Sequence, residues 1–313
     1  MDHLPPRASI GSVRERVEAM LVRAIAFGLR ALPRSAVPLL GSAAGALYAQ
    51  VDRRRFRVAL DNLRESFGPG MPPRHRASVA RAVFRHFGRV AFEILTHDPY
   101  AETDAGALVT YEGLEHIQSA YARGRGVFLF SAHYGNWELV ALMQGYLHLP
   151  LVMITRPLDN PLLEEFVRSR RESSGNRVVL KRNAIRQALR AISEGKGVAI
   201  VIDQNVRSGA RVFTEFFGRP AATTPTLALL ALKTGSPIVP VFSFPGPRGR
   251  YRIVYGPELI CSPTGDRDRD VRRITEQCTR LIEEQVRDRP GIWLWMHERW
   301  KSRPRASEWP PRV

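Results

Sequence analysis

Cysteine is nearly absent from this sequence of 313 residues. Only Cys261 and Cys278 occur, and neither stands in a spacing that is typical of metal ligands. Two such residues provide no disulfide framework, so a reducing compartment is the simpler interpretation. The sequence accordingly predicts no metal site and no cofactor.

Long apolar segments are also missing. The longest stretch without a charge covers residues 35–51 and contains Pro38, Gly41 and Gly45. A helix that crosses a bilayer needs about 20 apolar residues, and this stretch of 17 falls short. The first dozen residues, MDHLPPRASIGS, are polar, so no cleavable signal peptide is apparent.

Acidic residues are few relative to basic ones. There are 30 Asp+Glu against 47 Lys+Arg, which gives a formal net charge of +17. Such a surplus indicates an anionic partner: nucleic acid, an acidic membrane leaflet, or a phosphorylated or acidic substrate. The sequence shows no helix-turn-helix, no RNP-type aromatic strand and no zinc-finger spacing, so we expect no nucleic-acid partner.

The N-terminal region combines basic and apolar residues in a helical pattern. Arg16, Arg23 and Arg30 recur every seven residues, with Arg34 about one turn further, while the apolar residues lie mainly on other faces. This pattern is typical of a helix that lies in the headgroup layer of a membrane. The alternative is an ordinary surface helix packed on the core. We therefore predict that residues 1–55 form a membrane-associating helical segment.

That prediction also sets the expected location of the protein. An anionic leaflet would attract the basic residues, including the cluster RRRFR at 53–57. We expect the cytoplasmic face of the inner (plasma) membrane, with peripheral attachment or a single N-terminal anchor.

Residues 56–313 are predicted to form an α/β domain. After a helical region at 56–97, strand-like and helix-like segments alternate from about residue 108, and the strands are almost continuously apolar. This alternation indicates a largely parallel central sheet covered by helices on both faces. The fold class is therefore α/β with an N-terminal helical membrane-associating region.

Polar residues follow three of the predicted strands. The strand ends continue as SAHYGNWE, TRPLDNP and DQNVRSG. Ligands of open α/β sheets bind beyond the carboxyl ends of the strands, so these three segments together form a candidate site. None of the serines near strand ends has a G-x-S-x-G pattern, which argues against a serine hydrolase.

His133 and Glu138 are the strongest catalytic candidates in this set. On one helix, a spacing of five would place the two side chains about 140° apart. If His133 lies in a turn and the helix begins near Asn136, the two side chains can meet. The carboxylate would then orient the imidazole and stabilise its protonated form, as in sites that activate a hydroxyl. Alternatively, His133 only ends a strand and Glu138 complements the helix dipole.

Taken with their neighbours, these residues carry a family resemblance. HYGNWE fits the H-x4-D/E motif of glycerolipid-type acyltransferases, and the chain resembles the lipid A biosynthesis lauroyl/myristoyl (late) acyltransferases over roughly residues 35–305. The segments that carry the resemblance are RRRFRVALDNLRESFG (53–68), GVFLFSAHYGNWEL (126–139), TRPLDNPLLEEFVRSRRESSG (155–175), GVAIVIDQN (197–205), VFTEFFGRPAATTPTLALLALKTGSPIVPVF (212–242) and WLWMHERWKSRP (293–304).

The resemblance implies acyl transfer from a thioester, acyl-acyl carrier protein or acyl-CoA, to a hydroxyl of a saccharide-lipid such as a lipid A precursor. It implies that His133 is the general base and Glu138 its partner. Arg171 matches an arginine associated with the site, and Asp203 matches an acidic position at a strand end. Relatives of the enterobacterial enzymes tend to carry D-x-D there, whereas this chain has Asp-Gln-Asn, which leaves a different acceptor open.

Four further side chains are predicted to bind substrate, each with an alternative. Arg156 and Arg171 are candidates for stabilising the oxyanion, or for binding a phosphate or carboxylate. Asp203 is a candidate for binding acceptor hydroxyls, or caps the following turn. Asn160 precedes Pro161 at a helix start, where capping is the alternative.

Two aromatic segments have open interpretations. Phe216, Phe217 and Gly218 could line an acyl channel or belong to the core. The C-terminal segment at 293–304 could be a membrane-edge aromatic belt with basic anchors. The rival functions are acylation of another polar lipid (a phosphatidylinositol mannoside, an ornithine-type lipid or another glycolipid) and a non-catalytic protein that binds anionic lipid or nucleic acid.

Overall fold

The N-terminal third of the chain is helical. A computed structural model describes residues 12–96, 108–180, 184–306 and 308–309. Its first four helices are α1 (Val13–Arg30), α2 (Ala36–Val51), α3 (Arg53–Phe67) and α4 (Pro73–Thr96).

A capping box begins α1, because Ser12 accepts a hydrogen bond from the Glu15 backbone N–H and the Glu15 carboxylate accepts one from the Ser12 N–H. The helix ends at Arg30, before Pro33, since proline supplies no backbone N–H to continue the pattern. Arg34 therefore lies beyond the helix, and the prediction that it extends the basic face of α1 is wrong.

Helix α2 packs closely against α4. Gly41 and Gly45 of α2 lie against α4, where a Cβ on Gly45 would fall 2.1 Å from the Phe84 carbonyl oxygen. Only glycine permits this close approach of two helix backbones.

Among the described residues, no helix is both long enough and apolar enough to cross a bilayer.

The remaining elements are strands and helices, which alternate as predicted except at one hairpin. They are β1 (Val109–Glu112), α5 (Leu114–Ala122), β2 (Val127–Ser131), α6 (Trp137–Tyr146), β3 (Leu151–Thr155), α7 (Pro161–Glu172), β4 (Arg177–Leu180), α8 (Ala184–Ser193), β5 (Gly197–Val201), β6 (Val212–Phe216), β7 (Arg219–Thr223), α9 (Thr226–Thr234), β8 (Ile238–Pro245), β9 (Tyr251–Tyr255) and α10 (Arg267–Asp288). Single 3₁₀ turns occupy Gly68–Gly70, Pro247–Gly249 and Pro290–Ile292.

Seven strands form the central sheet, in the order β1-β9-β8-β2-β5-β3-β4. Every neighbouring pair is parallel except β8 and β9. Alternate residues of β2 enter two separate apolar clusters, Phe128 and Phe130 in one and Val127 and Leu129 in the other, so both faces of the sheet are covered. The prediction of an α/β fold with a largely parallel central sheet is confirmed.

The hairpin formed by β6 and β7 was not predicted from the sequence. Its turn places Phe217 at φ 55° and Gly218 at φ 71°, the two positive values that a tight hairpin turn requires. Phe216 and Phe217 are buried against Trp293, Trp295 and Trp300. These phenylalanines belong to the core, and they are not among the residues that line the cavity described below.

Candidate active site

Three strand ends meet at one edge of the sheet. β5 lies between β2 and β3 and runs parallel to both, so the segments that follow these strands emerge side by side. His133 follows β2, Arg156 follows β3 and Asp203 follows β5. The sheet therefore brings together the three polar segments that the sequence identified.

The local backbone sets the position of His133. Strand β2 ends at Ser131, and Gly135 takes φ 59° in the turn that follows. Asn136 then caps α6, because its side-chain oxygen accepts a hydrogen bond from the Leu139 N–H. His133 thus lies in a strand-to-helix turn and Glu138 in the first helical turn, as predicted.

Asp203 is the carboxylate that holds the His133 imidazole. Its Oδ1 lies 2.8 Å from His133 Nδ1, and its Oδ2 accepts a hydrogen bond from the His133 backbone N–H at 2.9 Å. Asp203 is 3% exposed, whereas 18% of the His133 side chain remains accessible. One carboxylate therefore fixes both the backbone and the ring of His133.

The contact between Asp203 and His133 shifts the pKa of both groups. Burial disfavours the imidazolium, but the charge and hydrogen bond of Asp203 outweigh it and raise the pKa of His133 above its ordinary value, with Glu138 adding in the same direction. Burial likewise disfavours the carboxylate, yet His133 and the Trp293 N–H hold the pKa of Asp203 below its ordinary value. Asp203 is accordingly the ionised partner of the pair.

The second ring nitrogen of His133 faces the other way. His133 Nε2 lies 3.3 Å from Gln204 Nε2, and both side chains line the same cavity. With Nδ1 donating its proton to Asp203, Nε2 carries the lone pair in the neutral ring. The basic nitrogen is therefore directed into the cavity.

Glu138 forms a different ion pair from the one predicted. It accepts two hydrogen bonds from Arg171, at 2.9 Å from Nε and 2.7 Å from Nη2. The prediction that Glu138 directly orients the imidazole therefore needs correction, because the carboxylate that is hydrogen-bonded to His133 belongs to Asp203. The physical reason is the parallel pairing of β2 and β5, which places Asp203 beside His133, while α7 presents a guanidinium to Glu138.

The ion pair nevertheless belongs to the same site. Glu138 and Arg171 line the cavity together with His133, and the charges of both act on the pKa of the imidazole, in opposite directions. Burial opposes ionisation of Arg171, but its hydrogen bonds to Glu138 and the carboxylate charge raise its pKa. The guanidinium is therefore a permanent positive charge at the site.

The cavity has a volume of about 720 Å³, within the range of small-molecule sites. It extends from the polar residues to apolar side chains between α6 and the sheet, namely Leu129, Val140, Ala141, Leu151, Met153, Ala199, Val201 and Val241. Val201 is 36% exposed although β5 is a central strand. We call this space the His133 cavity. Its apolar part suits a hydrocarbon chain.

Arg156 and Asn160, two further predicted residues, lie in different positions. Arg156 lies at the rim of the His133 cavity with 83% of its side chain exposed, and its nearest ion-pair partner is Asp159, also exposed, at 3.8 Å. It is placed to contact a ligand at the cavity mouth.

Asn160 has a different position. Its Oδ1 caps α7 by accepting hydrogen bonds from the Leu162 and Leu163 N–H groups, and its Nδ2 donates to α1 at Glu15 and Glu18. It is not among the residues that line the His133 cavity. The capping alternative therefore explains Asn160, and a contact with substrate there does not follow from this geometry.

Asp203 also departs from its predicted role. Both of its oxygens accept hydrogen bonds from His133 or Trp293, so the carboxylate contacts the imidazole rather than acceptor hydroxyls. The capping alternative does not describe it either. Reasoning from the sequence assigned the orienting role to the wrong acid because spacing along one strand–helix unit cannot reveal a neighbour from another strand.

The C-terminal segment is a further part of the site that the sequence did not reveal. Trp293, Trp295 and Trp300 are all buried, so the predicted membrane-edge aromatic belt is wrong at these three positions. Their rings pack on the β6–β7 hairpin and on one another. The available signal was the concentration of tryptophan beside polar residues, because a buried indole N–H usually has a hydrogen-bond acceptor.

The same segment holds the loop after β5. His297 Nε2 accepts a hydrogen bond from the Asn205 N–H at 3.0 Å, and burial lowers the pKa of His297, which keeps that nitrogen an acceptor. The buried Arg299 contacts the Gln204 carbonyl oxygen at 3.4 Å, and burial lowers its pKa to about 10.

No group of three His, Cys, Asp or Glu side chains in the described part of the chain could hold a metal ion.

Comparison with known proteins gives the family. A family model described as bacterial lipid A biosynthesis acyltransferase matches residues 12–302. Lipid A biosynthesis palmitoleoyltransferase of Escherichia coli (strain K12) is 26% identical over 275 residues, 87% of each chain. The lauroyltransferase of the same organism is also 26% identical, over 87% of this chain and 88% of its own.

A second group of relatives consists of phosphatidylinositol mannoside acyltransferases. Phosphatidylinositol mannoside acyltransferase of Mycobacterium tuberculosis (strain ATCC 25618 / H37Rv) is 26% identical over 193 residues, which is 60% of this chain and 58% of that protein. Both groups are acyltransferases, so the prediction of an acyltransferase is confirmed. Because the family match extends over nearly the whole described chain, the chain belongs to the bacterial lipid A biosynthesis acyltransferase family.

Proposed function

We propose that this enzyme transfers a fatty acyl chain from an acyl thioester, acyl-acyl carrier protein, to a hydroxyl group of a saccharide-lipid of the lipid A precursor type. The observation that carries the proposal is the position of His133. Its Nδ1 is hydrogen-bonded to a buried carboxylate, and its Nε2 faces a cavity with apolar walls. That arrangement activates a hydroxyl beside a hydrocarbon chain.

The proton movements follow from the orientation of the ring. His133 Nε2 takes the proton of the acceptor hydroxyl while its oxygen attacks the thioester carbonyl carbon. Asp203 stabilises the imidazolium that forms and does not itself need to take the proton. The tetrahedral intermediate then expels the thiolate, and the imidazolium returns its proton to the sulfur. A positioned base of this kind contributes about 10²–10⁴-fold to the rate.

The Glu138–Arg171 pair has a second role in this proposal. The two hydrogen bonds use Nε and Nη2 of Arg171, so Glu138 fixes the guanidinium in one orientation. The positive charge lies in the same cavity as His133 and stabilises the oxyanion that develops on the thioester carbonyl. Glu138 is thus a positioning residue for Arg171, while Asp203 orients the base.

The apolar part of the His133 cavity would hold the acyl chain. Strands β2, β3, β5 and β8 provide its floor and α6 its cover. A hydrocarbon chain there would bury both its own surface and the exposed side of Val201, which is favourable because apolar area leaves water. The thioester end would then lie at the polar mouth, beside His133 and Arg171.

The N-terminal helices support association with a bilayer surface. Val13, Val17, Met20, Leu21 and Phe27 are exposed on α1, and Phe27 reaches 79% exposure. Their spacing of three and four residues places most of them on one helical face. Leu39, Leu47 and Val51 are exposed apolar residues of α2. We call these residues the N-terminal apolar face.

Basic residues border this face. Arg16, Arg23 and Arg30 are exposed on α1, beside the apolar stripe in the helical projection. An exposed apolar face bordered by arginines fits the headgroup layer of an anionic membrane. We infer peripheral attachment at the inner membrane, where a saccharide-lipid acceptor would be anchored.

The test is acyl transfer by the purified enzyme in mixed micelles. The substrates are an acyl-acyl carrier protein and a lipid A precursor, and mass spectrometry of the lipid gives the product. We expect a mass increase of one acyl group, and loss of that product with His133→Ala. His75→Ala is the matched control, because His75 lies exposed on α4.

The choice of acceptor is tested in the same assay. A phosphatidylinositol mannoside and an ornithine-type lipid serve as alternative acceptors, and acyl-CoA as the alternative donor. Acylation of either alternative acceptor in preference to the lipid A precursor would overturn the acceptor assignment. Product formation by His133→Ala at the rate of the His75→Ala control would overturn the assignment of the base.

A further inference from the structure

Asp203 receives three hydrogen bonds, and one comes from a residue far along the chain. His133 supplies two of them, through its backbone N–H and its ring. The third comes from Trp293, whose indole N–H donates to Asp203 Oδ2 at 2.8 Å. Trp293 follows Asp203 by 90 residues, and its N–H reaches the carboxylate oxygen that does not contact the ring of His133.

The environment of Trp293 leaves it little freedom. The side chain is 1% exposed, and its ring centroid lies 4.7 Å from that of Trp295 and 5.3 Å from that of Phe216. An indole packed edge-to-face on this many sides cannot rotate without displacing its neighbours. Its N–H therefore points at Asp203 as a fixed donor.

The backbone around Trp293 is also attached to the turn that carries His133. The Leu294 N–H donates to the His133 carbonyl oxygen at 3.2 Å, and the Gly135 N–H donates to the Ile292 carbonyl oxygen at 2.9 Å. Trp293 and Tyr134 form an antiparallel bridge between these segments. The same short segment thus holds both the base and the carboxylate that orients it.

We infer that Trp293 is a positioning residue for catalysis: its indole N–H fixes the rotation of the Asp203 carboxylate, so that Oδ1 faces His133 Nδ1. The inference rests on the proposed function, in which His133 is the base. A carboxylate that gives up part of its charge to an N–H donor is also a weaker acceptor for the imidazolium. Trp293 therefore limits how far Asp203 raises the pKa of His133.

This role predicts a specific change when the donor is removed. In Trp293→Phe the carboxylate loses one hydrogen bond, so it holds the imidazolium more strongly. The acidic limb of the pH–rate profile moves to higher pH by about half a unit or more. Without the indole N–H the carboxylate can also take other rotations, so the neutral ring spends less time in the productive orientation. We expect kcat at the plateau to fall about tenfold or more, with little change in KM for the acyl donor.

Trp295→Phe is the matched control. Trp295 is equally buried in the same aromatic cluster, but its N–H donates to the Pro290 carbonyl oxygen at 2.8 Å. Both variants lose an indole and its N–H, so they share the packing loss. Only Trp293→Phe should move the acidic limb. If Trp293→Phe does not fold, 3-benzothienylalanine at position 293 keeps the shape of the ring and removes only the N–H.

A titration separates this inference from the proposed function. NMR of histidine labelled at Cε1, with the His133 signal assigned through His133→Gln, gives the pKa of the ring without any turnover. A rise in the His133 pKa in Trp293→Phe, and not in Trp295→Phe, supports the inference even if the wild-type enzyme acylates none of the tested lipids. An unchanged or lower pKa would overturn it, whether or not the enzyme is active.

Discussion

The two oxygens of Asp203 contact two different atoms of His133, the backbone nitrogen and Nδ1, at 2.9 and 2.8 Å. The two residues are 70 positions apart and meet because β2 and β5 are parallel neighbours. This relationship, rather than the five-residue spacing to Glu138, determines which nitrogen of the imidazole is free to act as a base.

Asp203→Asn tests that relationship. The amide can present its NH₂ to Nδ1, which would leave the proton on Nε2 and remove the base from the cavity. We expect kcat to fall by about 10²–10⁴-fold with the fold retained, as measured by acyl transfer and by circular dichroism. Asp159→Asn is the control, since Asp159 lines the cavity rim with a fully exposed side chain. Similar rates for the two variants would contradict the orienting role.

The pH dependence of the reaction reports the ionisation of His133. The base must be neutral, so activity falls as pH drops through its pKa. Because that pKa is raised, the midpoint of the acidic limb of kcat/KM should lie above the ordinary value of 6.5. A midpoint at or below 6.5 in wild-type enzyme, measured at saturating acceptor, would be inconsistent with the Asp203 contact.

The same shift has a consequence for stability. A group with a raised folded-state pKa contributes stability that is fully present below its unfolded pKa and is lost as pH rises through the folded pKa. The free energy of unfolding lost in His133→Gln should therefore be larger at pH 5.5 than at pH 9. Denaturant titration at the two pH values measures the difference, and an equal loss at both would contradict the pKa shift.

The ion pair between the buried Glu138 and the partly buried Arg171 is expected to matter for both stability and rate. Glu138→Gln leaves the Arg171 guanidinium without its counter-charge, which should cost about 3 kcal/mol of unfolding free energy. It also frees the guanidinium to move, and we expect kcat to fall by about 10²-fold. Arg171→Lys keeps the charge but not the paired hydrogen bonds, so it should retain neither the full stability nor the full kcat of the wild-type enzyme.

An exposed ion pair is the comparison for this prediction. Glu194 pairs with Arg190 and Lys196 on the surface, where ion pairs contribute little. Glu194→Gln should leave unfolding and turnover near wild-type values. If Glu138→Gln behaved in the same way, Arg171 would not depend on Glu138 for its position.

Chain-length preference should respond to the apolar end of the His133 cavity. Ala199 lies on β5 and lines the cavity, and Ala199→Leu adds three carbons to that space. We expect the preferred acyl donor to become shorter, as measured by competition among carrier-protein thioesters of different length. Ala91→Leu, at an exposed position on α4, should keep the wild-type preference. An unchanged preference in Ala199→Leu would place the acyl chain elsewhere.

Membrane attachment should depend on the N-terminal apolar face. Replacing Met20 and Phe27 with serine removes two exposed apolar side chains without touching the core. We expect weaker sedimentation with vesicles that contain anionic phospholipid, and little change in unfolding. Serine at Ile185 and Ile260, which are exposed apolar positions on other surfaces, is the control. Equal vesicle binding by the two double variants would exclude this face as the attachment surface.

The periodic features of this protein could be predicted from local patterns of residues. The apolar strands, the helix starts at Asn136 and Asn160, and the turn that carries His133 all follow from local patterns, because turns, caps and amphipathic periods depend on residues close together in the chain. The motif around His133, taken together with the other segments that carry the resemblance, was likewise sufficient to indicate the family.

The contacts between side chains of the site could not be predicted in this way. The pairing of β2 with β5 places Asp203 beside His133. The packing of α7 against α6 brings Arg171 into an ion pair with Glu138. Trp293, which the sequence suggested as part of a membrane-edge aromatic belt, is instead buried and donates a hydrogen bond to Asp203. Contacts between residues 33 to 90 positions apart depend on strand order and packing, which no local spacing encodes.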